Sequence, residues 1–519
     1  MVDMFTVFPG WLKALPRIQG LILLSVTMMG ISHMVTQILV MREFLNVFYG
    51  NELVFGIILS NWLLLTGLGC YLGGFLVRPG RGIKLLVVSQ VFVAMIPVLY
   101  ILTIRVMPTL LFVRGELLGV DKVFLSSILL LAPYCLLTGF LLVLACELFK
   151  FGGPAVQIGR VYLMDNIGDI LGGFLFSFIF VYLFNPFQTL LLVLMLNMVA
   201  AILLAIHIRK AILALAISLL LAFSCFLLLA QDLDKASTRI QFRGQELVWF
   251  GESPFGKVVV TKLGEQLTFF ENRVPLFSTE NTVENEEVVH YAMVQHPNPK
   301  GVLLISGGVS GTLKEILKYG GVERVDYVEL DPLILEAGER FTDTLSSPKV
   351  EIHNMDGRLF VRKTGRRYDV IIVDLPDPET AQINRFFTLE FFGEIKKIMN
   401  KDGVFSISLS PSGNYVSEEK MVLNSSLYKT LKKVFSNVIV VPGGRDFFIA
   451  SDRELSYGIA ERLEEAGIET EYVNKYYLDG VLTPSRIRVV MESVRAETRV
   501  NRDLKPITYY YHLRYWASQ

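Results

Sequence analysis

The stretch KGVLLISGGVSGTLKEILKYGGVERVDYVELDP (300–332) decides how the second half of this 519-residue chain folds. VLLIS is a short, unbroken apolar run, the pattern of a strand covered on both faces in a parallel sheet. It ends in Gly307, Gly308 and Gly311, after which TLKEILKYG has the spacing of an amphipathic helix closed by glycine. VDYVELD reads as a second strand with Glu329 near its end, 22 residues after Gly307. Strand, glycine turn, helix and strand make the first βαβ unit of a doubly wound α/β sheet. Glycine lets the backbone turn tightly and approach a ligand, and an acid ending the second strand can accept both hydroxyls of a ribose. A nucleoside site is expected here, with a purely structural βαβ unit as the bland alternative.

Further strands continue the sheet downstream. VEIHNMDGR (350–358) ends at Asp356 and Gly357, where a carboxylate would meet an adenine amino group. YDVIIVDLPDPE (368–379) is an apolar strand ending in Asp374 and Asp377, at the carboxyl edge where open α/β sheets hold their ligands. GVFSISLS (403–410) and NVIVVPGGRDFFIAS (437–451) supply later strands. Upstream, KVVVTK (257–262) and QLTFFENRVPLFS (266–278) alternate and are rich in β-branched and aromatic residues, predicting a small β-rich lead-in with a turn at Glu271-Asn272. A helix follows over roughly 284–296, stopped by Pro297 and Pro299.

The first half is different in kind. A membrane-spanning helix needs about 20 mostly apolar residues, and seven such runs stand at roughly 19–41, 52–77, 83–106, 123–149, 161–184, 186–208 and 211–230. The first is too long for a cleaved leader and lacks a small-residue cleavage site. The expected organisation is a membrane bundle over 1–230, the lead-in and its helix over 231–299, and a Rossmann-like domain over 300–519. Small residues in TGLGCYLGG (66–74) and GDILGGFLF (168–176) predict close helix packing in lipid. All four cysteines fall inside the apolar runs without a metal-ligand spacing, so no metal is expected. A formal net charge of zero gives no reason to expect nucleic acid.

Polar residues within the spans are few, and His33, Gln37, Glu147, Asp165, Asn166 and Asp169 stand out. Such carboxylates either sit near span ends or line an interior polar cavity, and both readings stay open. Lys and Arg favour the cytoplasmic ends of spans. Nine lie on the N-terminal side (Lys13, Arg17, Arg78, Arg81, Lys84, Lys150, Arg160, Arg209 and Lys210), against seven opposite (Arg42, Arg105, Arg114, Lys122, Lys235, Arg239 and Arg243). Seven spans would then put the second half outside the cytoplasm, unless the interrupted 97–122 region is re-entrant. The terminal YYYHLRYW suits the headgroup level, where Tyr and Trp collect.

Over about 257–451 the sequence resembles spermidine synthases and their membrane-fused relatives, the polyamine aminopropyltransferases. The family's glycine loop GGGDGG is similar to SGGVSG (306–311), its VEID to VELD (328–331), its GDG to MDG (355–357) and its DSSDP to DLPDP (374–378). The first spans and the terminal NRDLKPITYYYHLRYW also resemble the membrane-fused branch. The resemblance implies aminopropyl transfer from decarboxylated S-adenosylmethionine to a small amine. Gly307, Gly308, Gly311, Glu329, Asp356 and Gly357 would hold the nucleoside, and His290, Tyr291 and His296 the amine. Asp377 would take the amine's proton, with Asp374 attracting the cationic amine and raising its neighbour's pKa. A turn or helix-cap role for Asp377 is the alternative. Three positions depart from the family: Val309 replaces the loop aspartate, Pro275 a glutamine, and His290-Tyr291 reverses a Tyr-His pair.

The leaving thioether is neutral, so the chemistry asks for no metal. Two other readings share the sheet and the ribose acid: an S-adenosylmethionine methyltransferase, and a non-catalytic nucleoside-binding sensor or transporter. The expected location is the cell membrane, with the catalytic half in the cytoplasm, where S-adenosyl nucleosides are made. A homodimer through that half is compatible with the sequence.

Overall fold

The computed structural model describes residues 16–48, 50–77, 82–112, 119–150, 153–413 and 416–518. It divides into two compact units, Met1–Leu247 and Val248–Gln519.

In the first unit the apolar runs become α1 (Arg17–Val47), α2 (Glu52–Leu76), α3 (Gly82–Leu111), α4 (Val120–Leu148), α5 (Pro154–Leu183), α6 (Pro186–His207) and α7 (Ala211–Ala230). Each is long and apolar enough to cross a bilayer. Local chemistry fixes their starts. Asn51 accepts from Val54 N to cap α2, and Asn185 and Gln188 form a reciprocal capping box ahead of α6. A short amphipathic helix, α8 (Leu233–Gln241), follows the last span.

Two expectations need correction. The 97–122 region is not interrupted where it is described, because α3 runs unbroken through Pro97 and Pro108 to Leu111. Proline is tolerated in such helices because neighbouring groups satisfy the freed carbonyl. Nor does Arg105 stand at an exposed span end: it is fully buried within α3. Its Nε donates to Glu43 of α1 at 2.8 Å, and its guanidinium also reaches Asp234 and, at 3.0 Å, Ser237 of α8. Lys13, Arg78, Arg81 and Arg114 lie outside the described residues.

The second unit opens with a four-stranded antiparallel sheet, β1 (Glu246–Glu252), β2 (Lys257–Leu263), β3 (Gln266–Glu271) and β4 (Val274–Ser278). The β3–β4 turn falls at Asn272 and Arg273, one residue later than expected, and both have positive φ (49° and 66°). That is the conformation a two-residue hairpin requires. After α9 (Thr282–Met293), the main sheet comprises β5 (Gly301–Ile305), β6 (Arg324–Glu329), β7 (Val350–Asn354), β8 (Tyr368–Val373), β9 (Met399–Leu409), β10 (Asn437–Pro442) and β11 (Asp446–Ser451). Its order is β10-β11-β9-β8-β5-β6-β7.

Strands β5 to β9 run parallel, whereas β11 is antiparallel to both β9 and β10. The sheet is therefore mixed, because only three residues join β10 to β11 and so short a link allows only a hairpin. Leu303, Ile371 and Phe405 bury one face beside Phe391 and Phe392, while Leu304, Ile372 and Val404 bury the other beside Val289 and Leu313. Each such side chain contributes about 1.5–3 kcal/mol by leaving water. The chain starts the parallel sheet at β5 and builds outward in both directions, so the switch point lies at the carboxyl ends of β5 and β8.

Candidate active site

At that switch point β5 ends in the glycine turn. Gly307 has φ 74°, and a Cβ there would overlap the Asp374 carboxylate, which stands at the end of neighbouring β8. A Cβ on Gly308 would strike the Tyr327 ring. The turn is braced from α9: the Asn285 amide donates to Ser310 O at 2.9 Å and its oxygen accepts from Ser310 Oγ at 2.6 Å. The helix after Gly311 is α10 (Thr312–Leu317). Val309 turns inward, packing near Gly338 of α11 (Pro332–Phe341), so it offers the site nothing polar.

Glu329 ends β6 beside this turn. It accepts from Leu330 N (2.8 Å), Tyr327 Oη (3.0 Å) and Ser306 Oγ (3.3 Å). Burial pushes its carboxyl up, against the pull of those donors. Asp356 caps α12 (Gly357–Lys363) by accepting from Leu359 N at 2.8 Å, and its other oxygen is paired with Arg385. A Cβ on Gly357 would press on Ile305.

The two acids after β8 have opposite environments. Burial pushes the Asp374 carboxyl up to about 6, with Arg445 opposing and Glu284 adding to the rise. Asp377 is also buried, but Lys420 (3.8 Å), Arg445 (3.2 Å) and the Ser410 N–H and hydroxyl (2.8 and 2.6 Å) outweigh that and hold it below the usual range. The expected rise at Asp377 thus falls on Asp374 instead. Nor does Asp377 cap a helix: Thr380 caps the short helix that follows. Burial, with Asp377 second, pushes nearby Glu379 up to about 7.

The residues expected on the amine side are not gathered here. Only the first turn of α9 faces the site: Glu284 acts on Asp374, Asn285 holds the glycine turn, and Glu287 accepts from Gly444 N at 2.8 Å. A helix rises about 1.5 Å per residue, so α9 leaves the site quickly. His290 is buried between Tyr319 Oη (2.9 Å) and Glu315 (3.0 Å), and Tyr291 donates to Glu287 at 3.0 Å. His296 lies beyond the helix, beside Asp369 at the amino-terminal start of β8. Pro275 is exposed on β4.

Arg445, Lys420, Ser410 and Glu284 were not singled out by sequence. The one signal was GGRD (443–446), two glycines and a charge joining strands at the carboxyl edge. The C-terminal helix also belongs here. It packs within this unit on α13 (Glu418–Lys432) as α14 (Ile507–Ser518), and its His512 acts on Asp377.

Two groups among the described residues have metal-like spacing, Glu286/His290/Glu315 and Asp326/Glu351/His353. In the first, Glu286 already accepts from the backbone of 471–473 and Lys318 pairs with Glu315. In the second, Arg366 and Tyr368 occupy Asp326. Neither group is at the glycine turn.

Residues 281–442 match the spermine/spermidine synthase domain. The chain is 28% identical over 321 residues to the polyamine aminopropyltransferase of Oceanobacillus iheyensis, covering 58% of this chain and 62% of that relative. It is 29% identical over 273 residues to that of Clostridium perfringens strain SM101, covering 49% of this chain and 95% of the relative. A solved spermidine synthase, in complex with the transition-state analogue AdoDATO, is 26% identical with a TM-score of 0.42, over 47% of this chain and 88% of that one. Residues 281–442 of the C-terminal unit therefore form a spermidine synthase-like domain, and the curated relatives that match it are transferases.

Proposed function

We propose that the C-terminal unit transfers an aminopropyl group from decarboxylated S-adenosylmethionine to a small amine. The observation that carries this reading is the buried carboxyl of Asp374, pushed up to about 6 and in contact range of the glycine turn. A protonated amine has no lone pair to attack with. Asp374 takes its proton, the nitrogen bonds to the carbon beside the sulfonium, and the C–S bond breaks to leave a neutral thioether. A base whose pKa lies near the working pH suits that step. The family resemblance gives that role to Asp377. Its ties to Ser410, Arg445 and Lys420 suit an ionised carboxylate that orients the amine rather than one that exchanges protons. Glu329 would hold the ribose and Asp356 the adenine, beside Gly307, Gly308, Gly311 and Gly357.

Methyl transfer from S-adenosylmethionine is the second reading, favoured by one feature. Val309 is buried where the family carries an aspartate, so the glycine turn brings no carboxylate to a donor's ammonium. Incubation with each labelled sulfonium donor and a panel of amines decides between them. Aminopropyl product supports the first reading and methylated product the second; binding without turnover sinks both and leaves a sensor. We further place the seven apolar helices in a bilayer with the C-terminal unit in the cytoplasm, where S-adenosyl nucleosides are made; seven spans then put the side that bears Lys84 and Lys150 outside, against the charge count. A reporter fused after Gln519 that fluoresces only in the cytoplasm would stay dark if this is wrong.

A further inference from the structure

Two helix pairs in the N-terminal unit are packed so closely that their glycines admit no side chain. A Cβ on Gly30 or Gly168 would overlap backbone across the α1–α5 contact, and one on Gly69 or Gly139 would do so across α2–α4. Contact between the two pairs is slight. Polar and aromatic side chains from all four helices meet along that seam.

Trp62 Nε1 donates to His33 Nε2 at 3.0 Å. A ring nitrogen that accepts carries no proton, so His33 is neutral here and holds its hydrogen on Nδ1, 3.4 Å from Asp169 Oδ1. The Tyr134 ring lies parallel to the imidazole, 6.5 Å away. Asp165 is one turn from Asp169 on the same face of α5. Arg160, the one basic residue of α5, stands about 140° round the helix from Asp165. Asp169 is near the middle of a 30-residue span, where an unneutralised carboxylate is strongly disfavoured. Its Oδ1 is buried with only the long His33 contact, and Tyr134 Oη and Thr36 Oγ1 are buried with no partner beyond one another.

We propose that this seam binds a short α,ω-diammonium cation, one ammonium at each carboxylate. Two acids a turn apart match a dication with a few carbons between its charges. The Trp62 and Tyr134 faces favour alkylammonium through cation–π attraction, and the Tyr134 and Thr36 oxygens accept its remaining N–H groups. A metal ion fits less well: among the described residues, the clusters close enough to hold one are both in the C-terminal unit. The site stands whether or not the C-terminal unit is catalytic.

The test is calorimetric titration of the full-length protein in detergent micelles with 1,4-diaminobutane, using butylammonium as the single-charge control. Asp169→Asn and Asp165→Asn should each weaken one binding event about ten-fold or more, as loss of a charged hydrogen bond implies. Tyr134→Phe, which keeps both charges, should weaken it less. Asp374→Asn should leave that event intact, and butylammonium should bind more weakly. Heat that disappears only with Asp374→Asn, or folded Asp169→Asn and Tyr134→Phe proteins with wild-type isotherms, would overturn the proposal. So would a tryptophan fluorescence change driven by pH alone without diamine heat, which would make a proton the ligand.

Discussion

Asp374 carries a cost that its replacement should reveal. Its carboxyl rises from 3.8 to about 6 on folding, with burial the chief cause. The folded state therefore favours the protonated form, and stability falls as pH rises from about 4 to 6 and stays lower above that window. A shift of about two pKa units corresponds to roughly 3 kcal/mol at most. Asp374→Asn should accordingly melt higher than the wild type at pH 7 while losing about 10²- to 10⁴-fold in turnover. Thermal melts at pH 4 and 7 check the first part, because the difference should vanish at the lower pH. In the wild type, turnover should fall as pH drops through about 6. Glu329 gives a second expectation: Glu329→Ala should weaken a thioether nucleoside about ten-fold or more, read by calorimetry on folded protein. Glu329 was legible because a strand-terminal acid follows the glycine turn at a spacing the βαβ unit dictates. Arg445 was not, since it meets Asp377 from 68 residues away, across a strand pairing no local pattern announces.

The direction of α9 decides which of its residues can matter. Its helical pattern was plain in the sequence, but which end would abut the sheet's carboxyl edge was not, and so His290, Tyr291 and His296 were placed in the wrong surroundings. The structure gives the site the first turn, with Glu287 joining helix to hairpin. Glu287 accepts from Gly444 N (2.8 Å), Tyr291 Oη (3.0 Å) and Tyr477 Oη (2.7 Å), and so holds the β10–β11 turn that presents Arg445. Glu287→Ala would strand three donors around a buried position, each costing about 1–3 kcal/mol if left unsatisfied. Its melting temperature should drop, and turnover should drop further than folding explains because Arg445 loses its footing. Thermal unfolding beside rates measured well below the transition checks this. Wild-type turnover in the folded variant would show that the hairpin needs no such brace.

At the scale of the whole molecule, the apolar half is held by more than apolar packing. Helices in lipid gain no hydrophobic drive from meeting one another, so polar contacts and close approach carry more of the burden. The seven runs were legible because length and apolarity alone define them. What joins them was not, because the partners are distant in sequence: Arg105 lies 62 residues from Glu43 and 129 from Asp234. Read along the chain, Arg105 looked like an interruption; folded, it is a buried cation binding α1, α3 and the amphipathic α8 together. Breaking a buried ion cluster by removing one partner costs about 3–5 kcal/mol, because the charge left behind has lost both water and counterion. Arg105→Met removes the member that pairs with both Glu43 and Asp234, so it should be more damaging than the loss of either acid. Asp234→Asn leaves Arg105 paired with Glu43 and should cost much less. Thermal unfolding of both variants in mild detergent tests the ordering. Equal midpoints would mean that α8 is held by other contacts and that the guanidinium is incidental to the bundle.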